Sequence, residues 1–321
     1  MEKTTKASPP SLRWSILRRA LLPHRRLPQD DEQSRADADH ISRKNSRRGF
    51  NLIPFEAVTQ RGDPDSPSTA EAGRAVVRYT LPVDGSPGLL LTQRLENQAD
   101  LHDFEICNTY NVDNTGLVCS WPSEEVLAYF CLSHADMFRC KKVIELGSGY
   151  GLAGLVIAAA TEASEVVISD GNPQVVDYIK CNIDANLKMF GGTKVMPMML
   201  HWNQTGVSEI SNSYDIIVAS DCTFFKEFHS DLARMIKSLL KQPGPSESIL
   251  LSPKRGDSLD KFLYLIAKEG LRFSVTENYD SEIWKRHQGF VNGDDSWPGY
   301  QKDHCYPLLV RIMHESQEPY S

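Results

Sequence analysis

Two stretches of this sequence carry residue types at spacings that could do chemistry. The first is VIELGSGYGLAG at 143–154, where Glu145 is followed at once by Gly147, Gly149, Gly151 and Gly154. Bare glycines let backbone N–H groups come close to a ligand and permit positive φ. A carboxylate at the mouth of such a loop would repel a pyrophosphate, yet suits a ligand that lacks phosphates and carries a cationic amino group. Asp170, ending EVVISD, lies 19 residues after Gly151, where an acid can accept hydrogen bonds from ribose hydroxyls. The second stretch is SDCTFFKEF at 220–228. Its Asp221 can accept an N–H from an incoming amine, and the rings of Phe224 and Phe225 can hold a methylated ammonium by cation–π attraction of ~0.5–2 kcal/mol.

By itself GSGYGLAG fits both the dinucleotide fingerprint and looser nucleoside loops. Glu145 favours S-adenosylmethionine over NAD, while Asp170 serves either. Trp202, closing LHW, can cover a base, and Trp121 stands where a helix begins beside the first strand, as core or as ligand contact. Methyl transfer from a sulfonium is an in-line displacement that needs positioning and exclusion of water. No metal is expected, and the histidines show no HxxxH spacing. If the acceptor is a lysine, neutralising its amine at pH 7 costs roughly 4 to 5 kcal/mol, which a dry, partly aromatic channel lowers. Cys222 shares the turn, but the adjacent acid opposes a reactive thiolate.

Strands and helices that alternate must position these groups. A helix is expected from WPSEEVLAYFCL, opening at Trp121 with Ser123 as cap. Then follow strand KKVIELG, helix 151–161, strand 165–170, helix 173–188, strands 194–200 and 214–220, helix 227–241, strand 248–252 and helix 258–269. This alternation implies a parallel sheet covered on both faces. Two last strands, 271–279 and 305–313, with no helix expected between them, finish it as an antiparallel pair. Upstream, AVVRYTLP and LLLTQRL flank Asp84-Gly85 as a hairpin edging the main fold. The fold class is α/β, a Rossmann-like seven-stranded sheet with an antiparallel terminal pair and an N-terminal β-hairpin extension.

The chain has 321 residues, 40% of them hydrophobic, enough for one substantial core with a loose end. Net charge is -7, with +6 on residues 1–29, leaving -13 on the rest. No continuous basic face for nucleic acid is visible in the globular part, and no apolar run approaches the roughly 20 residues of a membrane span. Seven cysteines without a CxxC fit a reducing compartment, and cytoplasm and nucleus are the expected locations. Residues 1–48 read as disordered, and their Arg-rich, acid-poor first 29 have an organelle-targeting segment or a basic amphipathic helix as the alternative.

ELGSGYGLAG, ISDGNP, LHW, ASDCTFF and the terminal strand pair together resemble the seven-stranded protein-lysine methyltransferases that share a D-x-x-[FY] motif after the fourth strand. Further stretches, DNTGLVCSWPSEEVLAYFCL, SPKRG, ENYD and CYPLLV, resemble the branch of that family directed at calmodulin. The resemblance runs from about 50 to 313. It implies an extension at 49–116, a methyltransferase domain at 117–321, S-adenosylmethionine as cofactor and calmodulin as substrate of a monomeric enzyme. It further implies that Trp121, Glu145, Gly147, Gly149, Asp170, Trp202 and Ser220 line the cofactor pocket, with Asp221 and Phe224 catalytic. Ser220 stands where relatives often have Ala, and Phe224 where many have Tyr, so no mechanism through that hydroxyl operates here. An acidic partner would be met by local cations, for which Lys254, Arg255, Lys285 and Arg286 are candidates together with Phe225. The aromatic, glycine-rich insertion 284–304 reads as a partner-contacting loop. Competing readings are a small-molecule methyltransferase, a silent scaffold and a nicotinamide dehydrogenase.

Overall fold

The computed structural model of the chain describes residues 49–58, 73–82, 88–95, 99–118, 121–203 and 209–315. The segment 1–48, expected to be disordered, lies outside the described residues. In chain order the first elements are β1 (Phe55–Ala57), β2 (Arg74–Thr80), β3 (Gly88–Arg94), α1 (Leu101–Tyr110), α2 (Thr115–Val118), α3 (Pro122–Ser133), β4 (Lys142–Leu146), α4 (Leu152–Ala160), β5 (Glu165–Asp170) and α5 (Pro173–Asn186). They are followed by β6 (Lys194–Met199), β7 (Ile216–Ser220), α6 (His229–Leu239), β8 (Glu247–Pro253), α7 (Ser258–Lys268), β9 (Leu271–Thr276), α8 (Ser281–Val291), α9 (Lys302–Cys305) and β10 (Pro307–His314).

Seven strands form one sheet in the order β6-β5-β4-β7-β8-β10-β9. Strands β4 to β8 pair in parallel, and β10 inserts antiparallel to both β8 and β9. The winding reverses between β4 and β7, so the crevice for a ligand opens above the carboxyl ends of β4, β5 and β7. Alternation along β4 divides its side chains between two cores. Val143 joins α3 and α4 on one face, while Ile144 and Leu146 join α6 and α7 on the other. Helix α4, LAGLVIAAA, is buried on nearly every side because it lies between the sheet and α3.

The expected hairpin forms, pairing Val77 with Leu91, but it belongs to a separate three-stranded sheet in the order β1-β2-β3. It docks on a helix and not on the main sheet. Asn182 and Asn186 of α5 each accept from and donate to the free edge of β3, at Thr92 and Leu90. The two amides stand in for a neighbouring strand and satisfy backbone groups that would otherwise be buried unpaired.

The antiparallel ending holds, but the connection inside it differs from the expectation. Helix α8 lies between β9 and β10, capped by Asp280, which accepts from the backbone N–H of Glu282 and Ile283. Insertion 284–304 is likewise not a free partner loop. Phe290 and Trp297 are buried and pack edge-on against Phe50, with ring centroids 5.5 and 5.7 Å away. The aromatic content serves the internal docking of the N-terminal segment.

Candidate active site

The loop after β4 turns through Gly147 and Gly149 with φ of +59° and +56°, a left-handed conformation that glycine adopts without penalty. At Gly147 space is a second constraint, since a Cβ there would sit 2.9 Å from Cys222 Sγ and 3.0 Å from Trp202 Cζ2. The bare backbone forms the floor of a hollow of about 1030 Å³, part of it open to solvent, above the switch point. Of the sequence-predicted residues, Trp121, Gly147, Gly149, Asp170, Trp202, Ser220, Asp221, Phe224 and Phe225 all line it.

Glu145 does not line it, and this corrects the reading of that residue as an anionic wall. It shares the Val143 face of the strand, so its side chain points under α4. There it is 1% exposed, and its Oε2 accepts the Gly154 N–H at 2.7 Å. Burial pushes its pKa up to about 8, against the opposing pull of that hydrogen bond. Near neutral pH the group is largely a protonated carboxyl that supports the loop from below.

Asp170 faces the hollow as expected. Its Oδ2 accepts the Gly149 N–H at 3.1 Å and its Oδ1 the Asn172 N–H at 2.9 Å. Desolvation raises its pKa to about 7 despite both bonds, with Asp113 adding to the rise. The cap of α5 is Asn172, which accepts from Gln174 N–H, so Asp170 is free of capping duty.

Asp221 adopts φ +56° at the end of β7. Its carboxylate is gripped on two sides. Arg255 donates Nε–H to Oδ1 at 3.1 Å and Nη2–H to Oδ2 at 2.8 Å, and Ser123 Oγ donates to Oδ2 at 3.0 Å. Burial raises the pKa of Asp221, while the charge and hydrogen bonds of Arg255 and the bond from Ser123 oppose the rise. The Arg255 guanidinium lies over the rings of Trp121 and Phe224, 4.9 and 4.6 Å from their centroids. Arg255 is therefore no surface cation for an acidic partner, because its side chain is only 5% exposed. Arg286 is also engaged, with Glu282 and with the Phe50 carbonyl, whereas Lys254 and Lys285 are exposed.

Sequence reasoning missed the segment from the end of α1 into α2, which covers one side of the hollow with Asn111, Asp113 and Gly116. Its local signal was the D-x-T of DNTG, in which Asp113 Oδ1 accepts from both the backbone and the hydroxyl of Thr115. His201, stacked parallel on Tyr110 at 5.9 Å, was missed as well. Among the described lining residues Asp113, Glu124, Asp170, Asp221 and Asp231 are acids, and none is lysine or arginine. Ser148 Oγ is buried there without a hydrogen-bond partner. Among the described residues the acidic lining suits a cationic guest, and it holds no lysine or arginine to anchor a phosphate.

The lysine methyltransferase family model matches residues 102–269, just over half the chain, from α1 through α7. Calmodulin-lysine N-methyltransferase of Arabidopsis thaliana is 61% identical over 311 residues, spanning 97% of this chain and 99% of that protein. Protein-lysine N-methyltransferase EEF2KMT of Mus musculus is 30% identical over 191 residues, 55% of this chain and 57% of its own. Among solved structures, a ribosomal protein L11 methylase from Lactobacillus delbrueckii subsp. bulgaricus superposes with a TM-score of 0.42 at 14% identity, covering 61% of this chain and 80% of that one. A family model that spans the strands carrying the hollow, and a relative matched along nearly its whole length, place this chain in the lysine methyltransferase family.

Proposed function

We propose that the chain transfers a methyl group from S-adenosylmethionine to a lysine side chain of calmodulin. The observation that carries the substrate is the 61% identity to a calmodulin-lysine N-methyltransferase over 97% of the chain. The match spans 97% of this chain and 99% of that relative, so it takes in the strands, the glycine loop and the Asp221 turn together.

The residues present fit the cofactor. Ser148 Oγ is a buried polar atom without a partner, the Gly147–Gly149 backbone leaves a cradle that a Cβ would fill, and the acid lining includes no lysine or arginine among the described residues. Asp170 would take the ribose hydroxyls, and Trp202 would cover the base. When bound, S-adenosylmethionine supplies a methyl carbon activated by its sulfonium.

The protein's own part is to place the acceptor amine and keep it dry. Phe224 and Phe225, each 8% exposed, pack edge-on at 4.6 Å and wall off the turn after β7. Trp121 closes the same wall, 5.0 Å from Phe224. The aromatic wall disfavours the ammonium form and so reduces the roughly 4 to 5 kcal/mol needed to neutralise a lysine at pH 7, against the pull of the acids in the lining, which favour it. Asp221 accepts an N–H of the amine and orients its lone pair. Exposed Lys254 and Lys285 are the cations left to meet an acidic protein surface.

The test is incubation with labelled S-adenosylmethionine and purified calmodulin, with and without Ca²⁺, followed by mass spectrometry of the product. Methyl groups on one calmodulin lysine are expected. Label on other proteins of an extract but never on calmodulin would overturn the substrate.

A further inference from the structure

We propose that Arg255 is a positioning residue of the transfer step, whose guanidinium holds the Asp221 carboxylate as an anion at a fixed place on the pocket wall, ready to accept one N–H of the acceptor amine. The inference rests on the lysine-methylating function above and adds a residue to it.

The geometry carries three parts of the argument. Asp221 and Arg255 both sit in left-handed backbone, at φ +56° and +46°, a conformation that costs non-glycine residues energy and persists only where the surroundings enforce it. The Arg255 backbone is enforced by its N–H, which donates to the Asp303 carbonyl at 2.7 Å. The second part is the pair itself. Two charges with side chains only 5% and 3% exposed lose hydration that a hydrophobic pair of the same volume would not have to surrender, so stability alone does not explain them. A role for the charge at the cavity does.

The third part is a count of acceptor sites. A carboxylate offers about four lone-pair positions. Arg255 takes one on Oδ1 and one on Oδ2, and Ser123 takes another on Oδ2. One position remains, on Oδ1, and Asp221 faces the hollow. Meanwhile Trp121 and Phe224 hold the guanidinium over their rings, so the planar fork cannot swing away from the carboxylate. The ionisable groups that act on Asp221 are Arg255 from the loop after β8, His304 from α9 and Cys222 of its own turn, and Glu124, Asp170 and Asp231 share with it the lining of the hollow. Four of these are acids or a thiol, and Arg255 is the fixed cation opposing them.

The test compares Arg255→Gln and Arg255→Lys with the unaltered chain, reading kcat and KM for calmodulin against pH, cofactor affinity by calorimetry and Tm. Arg255→Gln removes the charge. It is expected to lower kcat at pH 7 by about tenfold or more, and to move the acid limb of the profile alkaline by about one pH unit or more. Cofactor affinity should stay within about twofold. Arg255→Lys keeps the charge but loses the fork. It should restore the limb to its original pH while kcat stays reduced. If Arg255→Gln does not fold, Ser123→Ala carries the test, with a smaller shift of the limb in the same direction.

An unshifted limb in Arg255→Gln, or in Ser123→Ala where that variant stands in, overturns the proposal, as does cofactor binding lost in step with activity. An unaltered chain that leaves calmodulin unlabelled overturns the substrate instead. The pH comparison is then run on whichever protein lysine the chain does methylate, so the two failures are told apart.

Discussion

Glu145→Gln separates the two accounts of the acid beneath the glycine loop. The carboxyl is entirely buried, and its pKa moves from an ordinary 4.5 to about 8 on folding. An acid whose pKa is raised by folding contributes full stability below its unfolded pKa. That stability declines as pH rises through the window between the two values and stays low above it. From 4.5 to about 8, at 1.36 kcal/mol per pH unit, the whole decline amounts to about 5 kcal/mol. Glutamine keeps the shape, accepts the same Gly154 N–H and cannot ionise. Denaturant unfolding at pH 5, 7 and 8.5 should therefore find the variant within about 1 kcal/mol of the unaltered chain at pH 5, and more stable by about 3 kcal/mol or more at pH 8.5. Asp170, raised to about 7, gives both proteins a slope of the same sign, which the comparison removes. Calorimetry with S-adenosylmethionine supplies the second arm, with affinity unchanged within about threefold. Stability curves that run parallel with pH, or a hundredfold loss of cofactor affinity, would refute the reasoning and return Glu145 to the cavity wall.

Asp221→Asn should cut methyl transfer by about a hundredfold while calorimetry finds cofactor binding nearly intact; equal loss of both would assign Asp221 to the cofactor. Asp221→Ala should also lower the unfolding free energy by about 3–5 kcal/mol, because Arg255 is left buried and unpaired. Gly147→Ala forces a left-handed alanine, roughly 1–2 kcal/mol, and drives a methyl into Cys222 and Trp202. Its cofactor affinity should fall by about tenfold, and an unchanged affinity would show that Trp202 contributes nothing to the cofactor. Asn182→Ala removes bonds to Thr92 N–H, Thr92 carbonyl and Tyr150 carbonyl. A loss of about 2–4 kcal/mol in urea unfolding and faster proteolysis near the hairpin are expected.

The sheet and its glycine loop were legible because their signals are local. Buried β-branched runs at strand length, separated by amphipathic stretches, state a parallel sheet without reference to anything distant. Glu145 was misplaced because strand parity says which residues share a face, not which face a helix will cover. Only the packing of α4 through Gly154 decides that. Arg255 was misread for a different reason. Its partner Asp221 lies 34 positions away, and a Lys254–Arg255 pair after a strand has the same appearance whether it is solvated or buried. Helix α8 was overlooked although its signal was present, since Asp280 and Glu282 precede Ile283, His287 and Phe290 at helical spacing, all three of which are buried.

The first turn of α3 explains why the N-terminal segment and the catalytic turn form one unit. Its successive residues Ser123, Glu124 and Glu125 serve three different surroundings. Ser123 donates to Asp221, Glu124 lines the hollow, and Glu125 accepts from the backbone N–H groups of Asn51, Leu52 and Ile53. Burial raises the Glu125 pKa, the three N–H bonds oppose the rise, and Arg286 adds a weaker pull in the same direction. The segment it grips carries Phe50, which is seated among Phe290, Trp297 and Tyr306. The segment at residues 49–53, the insertion in the terminal strand pair that seats its Phe50, and the Asp221 turn are thus fastened to one helical turn. Loosening any of them shifts Ser123 and Trp121 together, and with them the place where Asp221 meets the amine.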